Sequence, residues 1–289
     1  MTKKVTIAGL GAMGSTMAAV YLDRGYEVSV WNRTASKTEP LVAKGAKAAD
    51  SAATGELIVL SQVDYQSMYD SLGEADLTGK VLVNLSSDTP ETLRRAAGWV
   101  RERGGELITG GIMVPPQGIG LPGAYAFYSG PEHLVEQHRA ALEELGAVKF
   151  MGEDPGLAMA YYTASLHMFF SILAAFAHGA ALVGDIRAFL PFAQETATEL
   201  GGDGPMGYFK IFADEIEKGV YPGEFNNMHM MAVSMEHIVQ ASKDAGLDLA
   251  TPAALSDLMN RTVEAGYAAD GLSSIYEVIR PRSSSSTIA

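Results

Sequence analysis

The sequence contains no cysteine among its 289 residues, and charged residues make up only 19% of it. Without cysteine, the chain has no disulfides, no thiolate metal ligands and no cysteine nucleophile. Basic residues are also scarce, since 21 lysines and arginines stand against 34 acidic residues, giving a net charge of −13. This balance argues against general binding to nucleic acid or to an anionic membrane surface, because both require a basic surface. With 47% hydrophobic residues, the chain is expected to form packed cores, and its length suits about two domains.

One long stretch carries no charge at all. No Asp, Glu, Lys or Arg occurs between Gly156 and Gly184, and about 18 such residues are enough to consider a membrane span. However, the stretch contains tyrosine, serine and histidine side chains and lacks adjacent basic anchors. As a helix it would extend roughly 43 Å at 1.5 Å per residue, too far for the second half of the chain to bury alone. We therefore expect a second copy of the chain, rather than a membrane, to bury it.

The sequence also lacks a signal-peptide core and a metal-binding motif. The apolar run Val5–Leu10 that follows the first lysines is too short for the core of a signal peptide, so we expect a cytoplasmic protein. The histidines His229 and His237 lack flanking carboxylates in a metal-binding register, and no H-E-x-x-H motif occurs. A metal site is therefore not expected.

The first half of the sequence alternates short apolar runs with helical periodicities. Val5–Ala8 predicts a strand, Met13–Arg24 a helix and Glu27–Trp31 a second strand, and the alternation continues to a last strand at Val148–Met151. Such alternation predicts a parallel sheet with helices on both faces. After Gly156 the strand signals stop and only helical patterns remain. We expect an α/β domain over residues 1–153 and an all-α domain over residues 154–289, joined by a long interdomain helix.

A glycine motif lies between the first predicted strand and the first predicted helix. Gly9, Gly11 and Gly14 form the pattern G-x-G-x-x-G, in the context that binding of a dinucleotide requires. The first glycine permits a tight turn, the second lets the backbone approach a pyrophosphate, and the third lets helix and strand pack closely. The predicted fold of this half is therefore a Rossmann domain. Its predicted cofactor-binding turn comprises Gly9, Leu10, Gly11, Ala12, Met13 and Gly14.

The end of the second strand indicates which dinucleotide is bound. NAD enzymes commonly place an acidic residue here to bind the ribose 2′-hydroxyl, but this chain has Asn32, Arg33 and Thr34, followed by Lys37. A carboxylate would repel a 2′-phosphate, whereas the arginine is able to hold it through paired hydrogen bonds. The hydroxyl of Thr34 and the charge of Lys37 add to this preference. The sequence predicts NADPH rather than NADH as the cofactor.

Together, the GLGAMG turn and the WNRT–K segment resemble the NADP-dependent β-hydroxyacid dehydrogenase superfamily. That superfamily has a serine- and glycine-containing loop for the substrate carboxylate and a catalytic lysine on the long helix that follows the sheet. This chain departs from the pattern in both places. Its loop from Gly110 to Gly120 lacks the serine, and counting from Gly156 places Tyr162 where the lysine is expected. The resemblance therefore does not support oxidation of a hydroxyacid.

In having a tyrosine at the position of this lysine, the chain resembles the imine reductases, which reduce C=N bonds with NADPH. The resemblance extends to the NLSSDTP segment from Asn84 to Pro90 and to the C-terminal pattern around Met235, so it covers essentially the whole chain. It implies that Tyr162 is the proton donor or the orienting group. A neutral phenol suits this role because a lysine ammonium would repel an iminium ion. The resemblance also implies an intertwined homodimer with active sites shared between chains.

Further site residues follow from strand ends and from the resemblance. Residues after the strand at Val81–Leu85 should lie at the carboxyl edge of the sheet, where ligands bind, and the resemblance places them near the nicotinamide. The predicted residues are Asn84, Ser86, Ser87 and Met113. The methionine-rich segment and the uncharged helix offer a soft, apolar wall for a substrate. The predicted pocket residues are His167, Phe170, Met231 and Met235.

We therefore expect an NADPH-dependent enzyme that transfers a hydride from nicotinamide C4 to the carbon of a small imine. Two alternatives remain open at this point. One is a β-hydroxyacid dehydrogenase-type oxidoreductase that acts on a small carbonyl acid, which the missing lysine disfavours. The other is a protein that binds NADPH without turnover, which nothing in the sequence excludes.

Overall fold

The computed structural model describes residues 3–280. Eight strands form one sheet in the spatial order β3-β2-β1-β4-β5-β6-β7-β8. The order reverses direction at β1, since β2 lies on one side of it and β4 on the other. The strands are β1 Lys4–Ala8, β2 Glu27–Trp31, β3 Lys47–Ala48, β4 Leu57–Leu60, β5 Val81–Asn84, β6 Glu106–Ile112, β7 Tyr125–Ser129 and β8 Ala147–Phe150.

The sheet is not fully parallel, which corrects the prediction made from the alternating pattern. β6 and β7 pair antiparallel, with Thr109 opposite Ser129 and Gly111 opposite Phe127. The reason lies in the connection between them, which contains only a short 3-10 turn at Pro116–Gly118. Without a crossover helix, the chain reverses direction and pairs with the strand it has just left. The other neighbouring strands pair parallel.

Five helices lie in the sheet domain, and two hydrophobic cores fill it. In one core, Ile7 and Val83 pack with Tyr21, while in the other Ile58 packs with Met68. Neighbouring residues of a strand point to opposite faces, so both faces of the sheet are buried as the uninterrupted apolar strands predict. The helices are α1 Ala12–Asp23, α2 Glu39–Val42, α3 Tyr65–Leu72, α4 Pro90–Glu102 and α5 Glu132–Glu143.

The rest of the described chain is helical. Asp185 and Asn227 cap two of the helices, because their side-chain oxygens accept hydrogen bonds from first-turn amides. Helices α9 and α10 pack against each other. The helices are α6 Leu157–Val183, α7 Ile186–Leu200, α8 Tyr208–Lys218, α9 Met228–Asp244, α10 Ala250–Thr262 and α11 Tyr276–Ile279.

The fold class predicted from the sequence is confirmed: a Rossmann-type α/β sheet precedes a helical region. By internal contacts, the chain divides into two compact units between Met168 and Phe169, inside α6. The first turns of α6 fall in the first unit because hydrogen bonds from Thr109 and to Ser129 hold them on the sheet, and the boundary between residues 153 and 154 stays a prediction. Each unit has its own packed elements.

Helix α6 is apolar and largely exposed in the single chain. Over residues 3–280 it is the one helix whose length and apolar composition would allow it to cross a membrane. Only 6% of its most apolar 18-residue segment is buried. Four consecutive or near-consecutive apolar side chains are each about half exposed: Phe169, Phe170, Ile172 and Leu173. Exposed apolar patches of this kind commonly mark a surface that contacts another protein or a membrane.

Candidate active site

The glycine turn between β1 and α1 uses its three glycines in different ways. Gly9 has a φ of +98°, and a Cβ there would lie 2.2 Å from the carbonyl oxygen of Ser61. A Cβ at Gly14 would lie 1.8 Å from the carbonyl oxygen of Gly9. By contrast, a Cβ at Gly11 would meet nothing within 4 Å. Two of the glycines are therefore required by the fold, and the third leaves an open approach to the start of α1.

The carboxyl ends of β1, β2 and β4 meet at this turn. Gly9 N donates to Trp31 O at 2.9 Å, and Ser61 N donates to Ala8 O at 2.9 Å. A cavity of about 520 Å³ opens between them, at the point where the strand order reverses. In open α/β sheets, ligands bind at this reversal point. The cavity is lined by Gly9, Leu10, Gly11, Ala12, Met13, Trp31, Asn32, Arg33, Thr34, Lys37, Ser61, Gln62, Val63, Ser67, Asp70 and Ser71.

The residues predicted to select NADPH lie on one wall of this cavity. Asn32 joins the two loops, because its Oδ1 accepts a hydrogen bond from Leu10 N at 3.0 Å and its Nδ2 donates to Thr34 O at 3.1 Å. Arg33 and Lys37 are exposed at the rim. Within residues 3–280, neither forms an ion pair with an acidic side chain. The open turn at Gly11 and these two cations fit the pyrophosphate and the 2′-phosphate of NADPH.

The four residues predicted near the nicotinamide do not line that cavity. Asn84 is fully buried, its Nδ2 donating to Met68 Sδ at 3.3 Å and its Oδ1 accepting from Ser86 N at 2.9 Å. Ser86 Oγ in turn accepts from Gln62 N at 3.0 Å. Asn84 and Ser86 thus tie the end of β5 to the end of β4, while Ser87 is exposed and Met113 half-buried beyond β6.

Tyr162 lies in the second turn of α6, against strand β6. Its ring covers Gly111, where a Cβ would lie 2.5 Å from Tyr162 Cδ2. The side chain is half-buried, and this burial raises the pKa of its phenol. In the described part of the chain, the Tyr162 hydroxyl forms no hydrogen bond. Tyr161, the adjacent residue, is 49% exposed and packs instead on Phe127 with ring centroids 5.9 Å apart.

Hydrogen bonds from two buried strand residues fix the start of α6 on the sheet. Thr109 Oγ1 donates to Pro155 O at 2.7 Å, and Ala158 N donates to Ser129 Oγ at 2.9 Å. Thr109 and Ser129 face each other across β6 and β7, so the antiparallel pair supplies both anchors. Because Tyr162 follows one turn after Ala158, these anchors determine where its ring lies on the sheet.

The predicted pocket residues belong to different parts of the chain. His167 is exposed on α6, while Phe170, further along the same helix, is 61% exposed. Met231 is half-buried and Met235 is buried on α9. In residues 3–280, no group of three His, Asp or Glu side chains is arranged to hold a metal ion.

Several lining residues were not predicted from the sequence. Ser61 and Gln62 directly follow the strand Leu57–Leu60, so the rule that ligands bind at the carboxyl ends of strands would have identified them. Ser67, Asp70 and Ser71 come from α3, and their distance along the chain gives no such signal. Gly111 was noted only as part of a loop that departs from the dehydrogenase pattern.

Comparison with known proteins identifies the family. Residues 154–281 match the C-terminal domain of the NADPH-dependent reductive aminase-like family. Residues 4–152 match the NAD binding domain family of 6-phosphogluconate dehydrogenase. An NADPH-dependent reductive aminase from Aspergillus oryzae is 33% identical, over 97% of this chain and 98% of that protein. The chain belongs to the imine reductase and reductive aminase family.

Two solved members of the imine reductase and reductive aminase family share the whole fold. The imine reductase of Streptomyces aurantiacus is 42% identical with a TM-score of 0.91, covering 96% of this chain and 100% of that one. A reductive aminase from Aspergillus terreus, in complex with NADPH and ethyl-5-oxohexanoate, is 33% identical with a TM-score of 0.86 and covers 97% and 100%. These relatives confirm three predictions: the family, an oxidoreductase acting on C=N bonds, and NADPH as the cofactor.

Proposed function

We propose that the protein reduces small imines and iminium ions to amines, with Tyr162 as the proton donor or orienting group. The observation that carries this proposal is the position of Tyr162. Its half-buried ring lies on Gly111, near the carboxyl end of β6, and its place in the sequence matches that of the lysine in the hydroxyacid dehydrogenase pattern. Where the imine carbon bears two different substituents, the product is a chiral amine.

The chemistry of a phenol supports this role for Tyr162. Reduction of a neutral imine places negative charge on nitrogen unless the nitrogen receives a proton. Burial raises the pKa of Tyr162, so the phenol stays protonated and neutral at physiological pH and attracts the nitrogen lone pair without repelling an iminium ion. Its hydroxyl has no hydrogen-bond partner within residues 3–280, which leaves its donor available to a ligand.

The cofactor residues act by binding and orientation. NADPH, when bound, supplies the hydride that reduces the C=N carbon. Gly11 and the start of α1 present backbone amides to the pyrophosphate, and Arg33 and Lys37 bind the 2′-phosphate through charge-assisted hydrogen bonds. Asn84 and Ser86 keep the end of β5 in place beside Gln62, which lines the cofactor cavity, and Ser87 and Met113 complete the set that we assign to the nicotinamide end.

A homodimer with shared active sites completes this proposal. The exposed apolar side chains of α6 support it, because Phe169, Phe170 and Leu173 are each about half exposed in one chain. A second copy of α6 would bury them, while the tyrosines and histidines in the helix disfavour a lipid environment. His167, Phe170, Met231 and Met235 would then contribute an apolar substrate wall. We place this dimer in the cytoplasm.

Steady-state turnover tests the proposed reaction. NADPH oxidation is followed with a cyclic imine, such as a pyrroline, and with a short aldehyde acid. We expect turnover of the imine, and Tyr162→Phe should lower its rate sharply while NADPH binding is retained. Turnover of the aldehyde acid alone would instead indicate a β-hydroxyacid dehydrogenase-type enzyme. NADPH binding without turnover of either substrate would indicate a non-catalytic NADPH-binding protein.

A further inference from the structure

Gly111 has no backbone reason to be a glycine. It lies inside β6, opposite Phe127 of β7, and is buried. It is not among the glycines with positive φ. A glycine inside a strand weakens the strand, because it costs more conformational entropy and offers no side chain to pack. Its presence must therefore be explained by what lies above it.

The ring of Tyr162 occupies the space that a side chain at Gly111 would need. A Cβ there would lie 2.5 Å from Tyr162 Cδ2, 2.8 Å from Cγ and 3.2 Å from Cβ. All three nearest atoms belong to this one residue. The neighbouring Gly110 differs, because its Cβ would meet atoms of the sheet domain itself: Leu85 Cδ2 at 2.8 Å, Phe127 O at 2.8 Å and Tyr128 Cδ1 at 2.9 Å.

The backbone of Tyr162 cannot withdraw easily from the strand. Ser129 holds the first turn of α6, because its Oγ accepts a hydrogen bond from Ala158 N. Thr109 holds the segment just before α6, because its Oγ1 donates to Pro155 O. A methyl group at Gly111 would therefore displace the ring rather than the helix. Displacing the ring moves the phenol hydroxyl, since the two are rigidly joined.

We infer that Gly111 is a positioning residue for Tyr162: the bare backbone of β6 forms a slot that fixes where the phenol hydroxyl lies. The catalytic consequence of this slot rests on the proposed role of Tyr162. The packing relationship itself does not, and the two are tested separately below.

The first test measures packing. Gly111→Ala should lower the Tm of the protein, and combining it with Tyr162→Ala should restore most of that loss, because the methyl group then enters the space left by the ring. Gly110→Ala is the matched control, and Tyr162→Ala should not rescue it, because its clashes are with other residues. If Gly111→Ala alone fails to fold, the double variant should still fold. If Gly111→Ala lowers the Tm equally in the wild type and in the Tyr162→Ala background, the proposed slot is wrong.

The second test measures positioning. Gly111→Ala should lower kcat with a pyrroline by about 10-fold to 100-fold, the cost of a misplaced catalytic group, while the Kd for NADPH stays unchanged. In a Tyr162→Phe background, which keeps the ring but has no hydroxyl to place, Gly111→Ala should lower kcat little further. An equal fold-loss in both backgrounds would show that Gly111 does not act through the hydroxyl. If Tyr162→Phe retains full kcat, the proposed role of Tyr162 fails, while the Tm experiment still decides the slot.

Discussion

Arg94 holds Asp154 through two parallel hydrogen bonds, from Nε to Oδ1 at 2.9 Å and from Nη2 to Oδ2 at 2.8 Å. Oδ1 also accepts from Gly156 N at 2.9 Å. One carboxylate therefore joins α4 to the turn from which α6 starts. The hydrogen bonds from Arg94, followed by the bond from Gly156 N, lower the pKa of Asp154.

Arg94→Ala should lower the Tm near neutral pH by a small amount, because both side chains of the pair are partly exposed and screened by solvent. A carboxyl whose pKa is lowered on folding contributes stability above its unfolded pKa of about 3.9, and this contribution is lost as the pH falls through the lower folded value. The difference in Tm between the wild type and the variant should therefore shrink below about pH 4. Thermal unfolding across this pH range measures it.

Arg95→Ala is the control for this pair, because within residues 3–280 the side chain of Arg95 bonds only to Thr92 of its own helix, from Nη2 to Oγ1 at 3.1 Å. Its effect on the Tm should be smaller than that of Arg94→Ala and should not depend on pH in the acidic range. Equal effects of the two substitutions would contradict a specific role for the Arg94–Asp154 pair.

The glycine turn predicts opposite results for two alanine substitutions. Gly14→Ala should destabilise the fold, because its Cβ would lie 1.8 Å from the carbonyl oxygen of Gly9. Gly11→Ala should fold normally, since nothing lies within 4 Å of its Cβ, but the added methyl group should weaken NADPH binding. Thermal unfolding and NADPH titration distinguish the two effects. Normal NADPH affinity in Gly11→Ala would show that the pyrophosphate of the cofactor does not lie against this residue.

Local patterns predicted the parts of this structure that local physics determines. The turn from Gly9 to Gly14 and the helix after it were predicted because each glycine has a separate steric or binding reason at a fixed spacing. The antiparallel pairing of β6 and β7 was not predicted. It follows from the absence of a crossover helix in the connecting loop, and the composition of that loop does not indicate whether the next strand runs parallel or antiparallel. Contacts far apart in sequence, such as Gly111 with Tyr162 and Thr109 with Pro155, leave no periodic signal. Asp70 and Ser71 reach the cavity from a helix for the same reason.

Arg33→Ala should weaken NADPH binding by about 10-fold to 100-fold, as expected for loss of a hydrogen bond to a charged group. NADH lacks the 2′-phosphate, so its affinity should change little. Fluorescence titration of both cofactors measures the ratio. Arg24→Ala serves as a control, because Arg24 is a surface arginine that pairs with Glu144. A parallel loss of both cofactors in Arg33→Ala would contradict recognition of the 2′-phosphate.

The role of Tyr162 as proton donor predicts a difference between two substrates. An N-methyl iminium salt needs no proton, whereas a neutral cyclic imine does. Tyr162→Phe should therefore lower kcat for the neutral imine by about 100-fold, within the range of general acid catalysis, and for the iminium salt far less. Similar losses for both substrates would favour an orienting role.

The pH dependence of the same residue has a definite sign. Burial raises the pKa of Tyr162 above its usual value of about 10. The phenol donates only in its protonated form, which is present below the pKa and lost as the pH rises through it. Any loss of kcat/KM caused by Tyr162 should therefore appear only above about pH 10, and Tyr162→Phe should remove that limb. A limb at lower pH that survives in Tyr162→Phe belongs to another group.

Helix α6 predicts the oligomeric state. Light scattering after size-exclusion chromatography should give about twice the chain mass of 30.6 kDa, because the apolar side chains of α6 need a cover. Leu173→Glu places a charge on this surface, where Leu173 is 47% exposed in the single chain, and should shift the protein towards monomer and reduce activity. Val42→Glu is the matched control, since Val42 is 42% exposed on α2 and is not part of that apolar surface. A monomeric wild type, or a Leu173→Glu variant that remains a fully active dimer, would show that α6 is not the dimer interface.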